Sequence, residues 1–217
     1  MANFRTHLNI AVISLGVAAI AVYPYVGITA ALCFWLAGIN GGLLPDIDAD
    51  NSTSLNIIFN IVSGSIILSI IYASKLSSVD TVFLSIVVYL FLKYVLRKLF
   101  EKFTCHRGTC HSILFLLWSA LLLTNTVYFL SADVLNNTEV VAWLSGIGLF
   151  LGGLIHLTLD EIYSVDISNM RIKRSFGSAF KLYSKNRVIL TMTMSASCVF
   201  LWLISPKVPL MLLKFIS

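Results

Sequence analysis

The chain has 217 residues, of which 58% are hydrophobic and 12% charged, and its mean hydropathy is +0.91. That much apolar surface cannot be buried by a water-soluble domain of this length, so the chain belongs in a bilayer. The net charge of +5 comes without a separate basic domain of interleaved aromatics, so it reads as a topology signal and no nucleic-acid partner is expected.

Seven apolar stretches follow one another, each close to the ~20 residues needed to cross ~30 Å of hydrocarbon. The first, Leu8 to Tyr23, follows Arg5 and could pass for a secretory signal. It lacks a small-residue cleavage site and a second span starts almost at once, so it reads as a retained helix that carries His7 and ends at Pro24. The second, Val26 to Leu44, passes Gly41-Gly42 and meets Pro45, which prevents its continuation. Leu55 to Ala73, Val79 to Leu96, Ser112 to Leu130, Val140 to Leu159 and Val188 to Ile204 complete the series. The expected fold is all-α, a polytopic membrane helix bundle of about seven spans forming one domain over residues 1–217. The longest non-apolar segment, 161–187, sets Ile162, Ile167, Ile172, Phe176, Phe180 and Leu182 among basic residues. It fits an interfacial helix on the anionic cytoplasmic leaflet, or an ordinary basic loop.

Lys and Arg set the orientation: twelve fall on the side of Arg5, Lys93–Arg107 and Arg171–Arg187, and three, Lys75, Lys207 and Lys214, on the other. The N-terminus is therefore expected in the cytoplasm and the C-terminus on the far side. On this topology His7, the Pro45–Asp50 loop, the His106–His111 loop and the helix end at His156–Glu161 share the cytoplasmic face. The far-side loops hold Asp80, Asp133 and Glu139 and no histidine. Four patches of histidine or carboxylate on one face point to a single site.

Neutral imidazole with carboxylate suits zinc or manganese. His156 and Asp160 are four apart and project from one helix face, a spacing that can bind one ion or simply cap a helix end. Gly146, Gly148, Gly152 and Gly153 precede the pair and permit close helix approach. In Leu-Pro-Asp-Ile-Asp, Asp46 can point inward while Asp48 takes a second ion or orients a histidine; a hydrated acidic turn is the plainer alternative. His106 and His111 bracket Arg107, whose planar fork can grip a phosphate, although an arginine here is also topogenic. No disulfide framework is expected, since Cys33 and Cys198 lie in spans and Cys105 and Cys110 face a reducing compartment. The chain has neither a nucleotide-binding glycine loop nor a Gly-x-Ser-x-Gly elbow.

Taken in order, Thr6-His7, Gly-Gly-Leu-Leu-Pro-Asp-Ile-Asp, His-Arg-Gly-Thr-Cys-His-Ser and Gly-Gly-Leu-Ile-His-Leu-Thr-Leu-Asp resemble the YdjM-like family of bacterial inner-membrane proteins described as metal-dependent hydrolases. The likeness spans roughly Thr6 to Asp160 and falls on His7, Asp46, Asp48, His106, Arg107, His111, Ser112, His156 and Asp160. Cys110 departs from it, standing where a threonine is expected. A looser similarity to zinc-dependent phospholipases C favours phosphoester chemistry by analogy. The resemblance implies a hydrolase in the inner membrane. The expected ligands of one or two Zn²⁺ or Mn²⁺ ions are His7, Asp46, His111, His156 and Asp160. Asp48 and His106 are expected as second-ion ligands or acid/base groups, with Arg107 holding the phosphate of a lipid or lipid-linked substrate. Two other classes compete: a metal-ion transporter, whose ligands belong near the midplane, and a structural protein whose metal only clamps helices together.

Overall fold

The computed structural model describes residues 3–48, 55–57, 59–60, 63–64, 67, 71, 77–98, 109–131, 137–166, 171–172, 180–183 and 187–213. Backbone contacts divide the chain into two compact units, Met1–Pro45 with Thr109–Ser217, and Asp46–Gly108. The fold is an all-α membrane bundle. Five helices are long and apolar enough to cross a bilayer: Phe4–Val26, Ile28–Ile47, Ser78–Val95, Ile113–Ser131 and Thr138–Ile162; Val188–Ile204 is a shorter apolar helix. The expected span Leu55 to Ala73 lies largely outside the described residues.

In the first unit α1 (Phe4–Val26) starts at Asn3, whose Oδ1 accepts from the Thr6 amide at 2.9 Å. Pro24 does not end this helix as the sequence predicts, because it lies inside the last turn. The stop is Gly27, at φ 81°, a conformation that L side chains avoid, with its amide donating back to Tyr23 O at 3.0 Å.

The helix α2 (Ile28–Leu43) leads into a 3₁₀ turn, Leu44–Asp48, as the proline of that turn requires. α4 (Ile113–Ser131) and α5 (Thr138–Ile162) form the other half of the unit, followed by α6 (Val188–Ile204) and the short α7 (Leu210–Leu213); α3 belongs to the second unit. α5 is central, packing on α2, α4 and α1, while α6 packs on α4. Lipid tails are as apolar as leucine, so helix association here depends on close contact more than on hydrophobic burial. The sequence supplies that contact through Gly38-x3-Gly42 on α2 and Gly148-x3-Gly152 on α5. A Cβ on Gly152 would fall on the Gly38 carbonyl oxygen, and one on Gly41 would fall on the Leu149 carbonyl.

Toward the other end of the unit the core is larger and aromatic, with Leu15, Phe34, Leu121, Val141, Trp143, Leu144 and Leu201 buried together. Buried polar bonds fix α6 here. Asn125 of α4 donates to Leu201 O at 3.1 Å and Ser205 Oγ at 2.9 Å, and Trp118 Nε1 donates to Ser197 Oγ at 3.0 Å. Such interhelical bonds are worth about 0.6–2 kcal/mol in a bilayer. Asn125→Ala is therefore expected to lower stability by about 1 kcal/mol in reversible denaturation from mixed micelles, with α6 the first element to lose protection.

Between α5 and α6 the segment 163–187 is not helical where it is described. Val165–Asp166 and Arg171–Ile172 pair antiparallel, and Lys181 bridges to Ser112. The Ile113 and Leu114 amides donate to Lys181 O and Leu182 O at 2.9 and 3.1 Å, so this segment satisfies the free first turn of α4.

In the second unit α3 (Ser78–Leu90) begins at Ser77, whose Oγ accepts from the Asp80 amide at 3.2 Å. It passes into a π turn over Phe91–Leu96. Lys93 in that turn donates to Tyr89 Oη at 2.9 Å and lies 5.2 and 5.8 Å from the Tyr89 and Tyr94 ring centres, an arrangement that shelters its stem and keeps its ammonium hydrogen-bonded.

Candidate metal centre

Three helix ends of the first unit bring histidines to one carboxylate. His7 is on the first turns of α1, and His156 and Asp160 are one turn apart near the end of α5. His111 lies two residues before the start of α4. Ser112 holds it there, because Ser112 Oγ accepts from the Phe115 amide at 3.2 Å and donates to Thr109 O at 2.7 Å. Ser112 thus acts as a helix cap that fixes the ligand before it, a role its place ahead of an apolar run makes legible.

All four side chains are nearly inaccessible: His7 is 1% exposed, His111 4%, His156 0% and Asp160 5%. His7 Nε2 lies 3.4 Å from Asp160 Oδ1, while His156 Nε2 and His111 Nε2 lie 3.6 and 3.7 Å from Asp160 Oδ2. These separations exceed the 2.7–3.2 Å of good N–H···O bonds. They match the edge of a tetrahedron with bonds of ~2.0–2.1 Å, about 3.4 Å. One ligand atom each from His7, His156 and Asp160 lies within 4.8 Å of the others, so the three can hold one ion.

Protonation sharpens the point. His156 Nδ1 is 2.8 Å from Gly42 O, and a carbonyl only accepts, so Nδ1 carries the proton. When the ring is neutral, this tautomer turns the Nε2 lone pair toward the Asp160 carboxylate. The His7 ring stacks on that of His156 at 3.7 Å and 12°. Both Asp160 oxygens are buried with no hydrogen-bond partner among the described residues. A cation shared by these lone pairs resolves what would otherwise be costly buried acceptors. The donor set, imidazole and carboxylate, fits zinc and also manganese. The Gly42 carbonyl is the outer partner that fixes the His156 tautomer, as metal-binding imidazoles require.

The other sequence-predicted residues stand as follows. Pro45 is buried, and Asp46, the next residue in the same turn, opens the second unit and is half-buried. Asp48 ends the turn, with only its backbone described. His106 and Arg107 lie outside the described residues. The sequence missed the Gly42 carbonyl, which has no side chain to signal it.

Comparison with known proteins gives one match. A family model described as YdjM inner membrane protein matches residues 1–205. No curated protein and no solved structure matches the chain. The model spans every element of the bundle up to the end of α6 and includes His7, His111, His156 and Asp160, so the chain belongs to the YdjM inner membrane protein family.

Proposed function

We propose that this inner-membrane protein is a metal-dependent hydrolase whose His/Asp centre faces the cytoplasm and acts on a phosphoester of a lipid or lipid-linked substrate. The observation that carries the reading is the convergence of three imidazole Nε2 atoms at 3.4–3.7 Å on one buried carboxylate. A divalent ion at such a centre supplies Lewis-acid activation of water at neutral pH. His7, His111, His156 and Asp160 would hold it, and the Gly42 carbonyl keeps His156 in the tautomer that can bind. Asp46 and Asp48 follow the buried Pro45 and would complete the ligand set or hold a second ion. His106 would serve as acid/base and Arg107 would take the phosphate through its planar fork. The charge asymmetry of the sequence supports a centre in the cytoplasmic headgroup layer. There a substrate can keep its tail in the bilayer.

Ligands at helix ends argue against transport, which needs a site near the midplane. A structural clamp is the second reading, favoured by exposures of 0–5% at the four ligands. The two separate in a screen of zinc- or manganese-loaded protein, in mixed micelles, against long-chain phosphomonoesters and phosphodiesters. Metal-dependent phosphate release that chelator abolishes supports the hydrolase. Stoichiometric metal and a metal-dependent rise in melting temperature, with no turnover of any substrate, would overturn it in favour of the clamp.

A further inference from the structure

At the opposite end of the first unit a cavity of about 680 Å³ opens where α1 ends, α5 begins and the chain turns from α6 to α7. His7 and Tyr25 are separated by about 27 Å along α1, and Glu139 and Asp160 by about 32 Å along α5, at ~1.5 Å per residue. A bilayer's hydrocarbon is ~30 Å thick. The cavity therefore lies in the headgroup layer across the membrane from the metal centre.

Its lining pairs opposite charges with apolar walls. Glu139 comes from the first turn of α5, Lys207 from the connection between α6 and α7, and Tyr25 from the last turn of α1; Val140, Val208 and Met211 are among the apolar residues. The connection bearing Lys207 is fixed on both sides of the preceding bend. Trp143 Nε1 donates to Pro206 O at 3.1 Å, and Asn125 Nδ2 to Ser205 Oγ at 2.9 Å. Glu139 is set on a rigid helix whose neighbour Val141 is 2% exposed. Both charged side chains are exposed to the cavity mouth, and among the described residues no ion pair joins them. They bring one positive and one negative side chain to the same cavity, available to a ligand that carries both signs.

We propose that this cavity binds a zwitterionic phospholipid headgroup with a primary ammonium, of the phosphoethanolamine type. Lys207 takes the phosphate and Glu139 the ammonium, while the valines and Met211 receive the first carbons of the tails. A quaternary ammonium has no N–H to donate to Glu139, and an anionic headgroup meets the Glu139 charge without compensation. The site thus separates lipids by headgroup, and it is independent of what the metal centre does.

The test uses the full chain in nanodiscs of equal phosphatidylethanolamine, phosphatidylcholine and phosphatidylglycerol, with retained lipid read by native mass spectrometry after transfer to detergent. The parent should retain phosphatidylethanolamine several-fold over the other two. Glu139→Gln should erase its preference over phosphatidylcholine, and Lys207→Gln should lower retention of both. Both positions are solvent-facing, so unchanged melting temperatures verify the fold. Equal retention of the three lipids by the parent, or an unchanged preference in both variants, would overturn the proposal.

Discussion

Gly152→Val is expected to destroy the bundle or to separate α2 from α5, with a loss above about 4 kcal/mol, the range reserved for disrupted cores. A Cβ at Gly152 lands on the Gly38 carbonyl oxygen and 2.8 Å from the Gly42 amide nitrogen, both of them backbone atoms. No side chain can swing aside, so the helices must part. The parting would also withdraw the Gly42 carbonyl from His156 Nδ1, now at 2.8 Å, and release the tautomer that the metal centre needs. Yield of monodisperse protein and denaturation in mixed micelles measure the effect. Gly64→Ala is the control: among the described residues nothing lies within 4 Å of a Cβ at that helical position, so its stability should equal or slightly exceed that of the parent. A folded Gly152→Val protein with full stability would contradict the close-packed interface.

His7→Phe should separate the packing of the centre from its chemistry. A phenyl ring can keep the stack on His156, seen at 3.7 Å, but brings no nitrogen to Asp160, now 3.4 Å from His7 Nε2. The metal-free variant should melt within a few degrees of the metal-free parent. A ligand at a hundred times its Kd stabilises a protein by about 2.7 kcal/mol. The parent should show a rise in melting temperature of that size on zinc addition, and the variant should lose most of it. Loss of an outer partner alone costs about 10–100-fold in metal affinity, and loss of a ligand should cost more. An equal rise in both proteins would remove His7 from the ligand set.

The parts of this arrangement that sequence made legible are those governed by local geometry. His156 and Asp160 lie one helical turn apart, and that alone places them on one face. Gly148 and Gly152, two of the glycines ahead of that pair, mark where α5 approaches α2. His7 and His111 are far apart in the chain, and only the charge asymmetry brought them to the same side. Three features escaped. The backbone carbonyl that orients His156 has no residue signature. Pro24 was expected to stop α1, but its turn is tolerated and the stop passes to Gly27, whose positive φ is a tertiary outcome. Glu139 on the first turn of α5 and Lys207 between α6 and α7 share no motif, so only the fold joins them at one cavity.

The most direct test of the central claim is elemental analysis of detergent-purified protein beside a folded His111→Ala, Asp160→Ala double variant. The account predicts zinc or manganese near stoichiometry in the parent and its loss in the variant, since Asp160 meets all three imidazoles and His111 approaches it to 3.7 Å. A parent that stays metal-free after reloading, or a variant that keeps its metal, would contradict it.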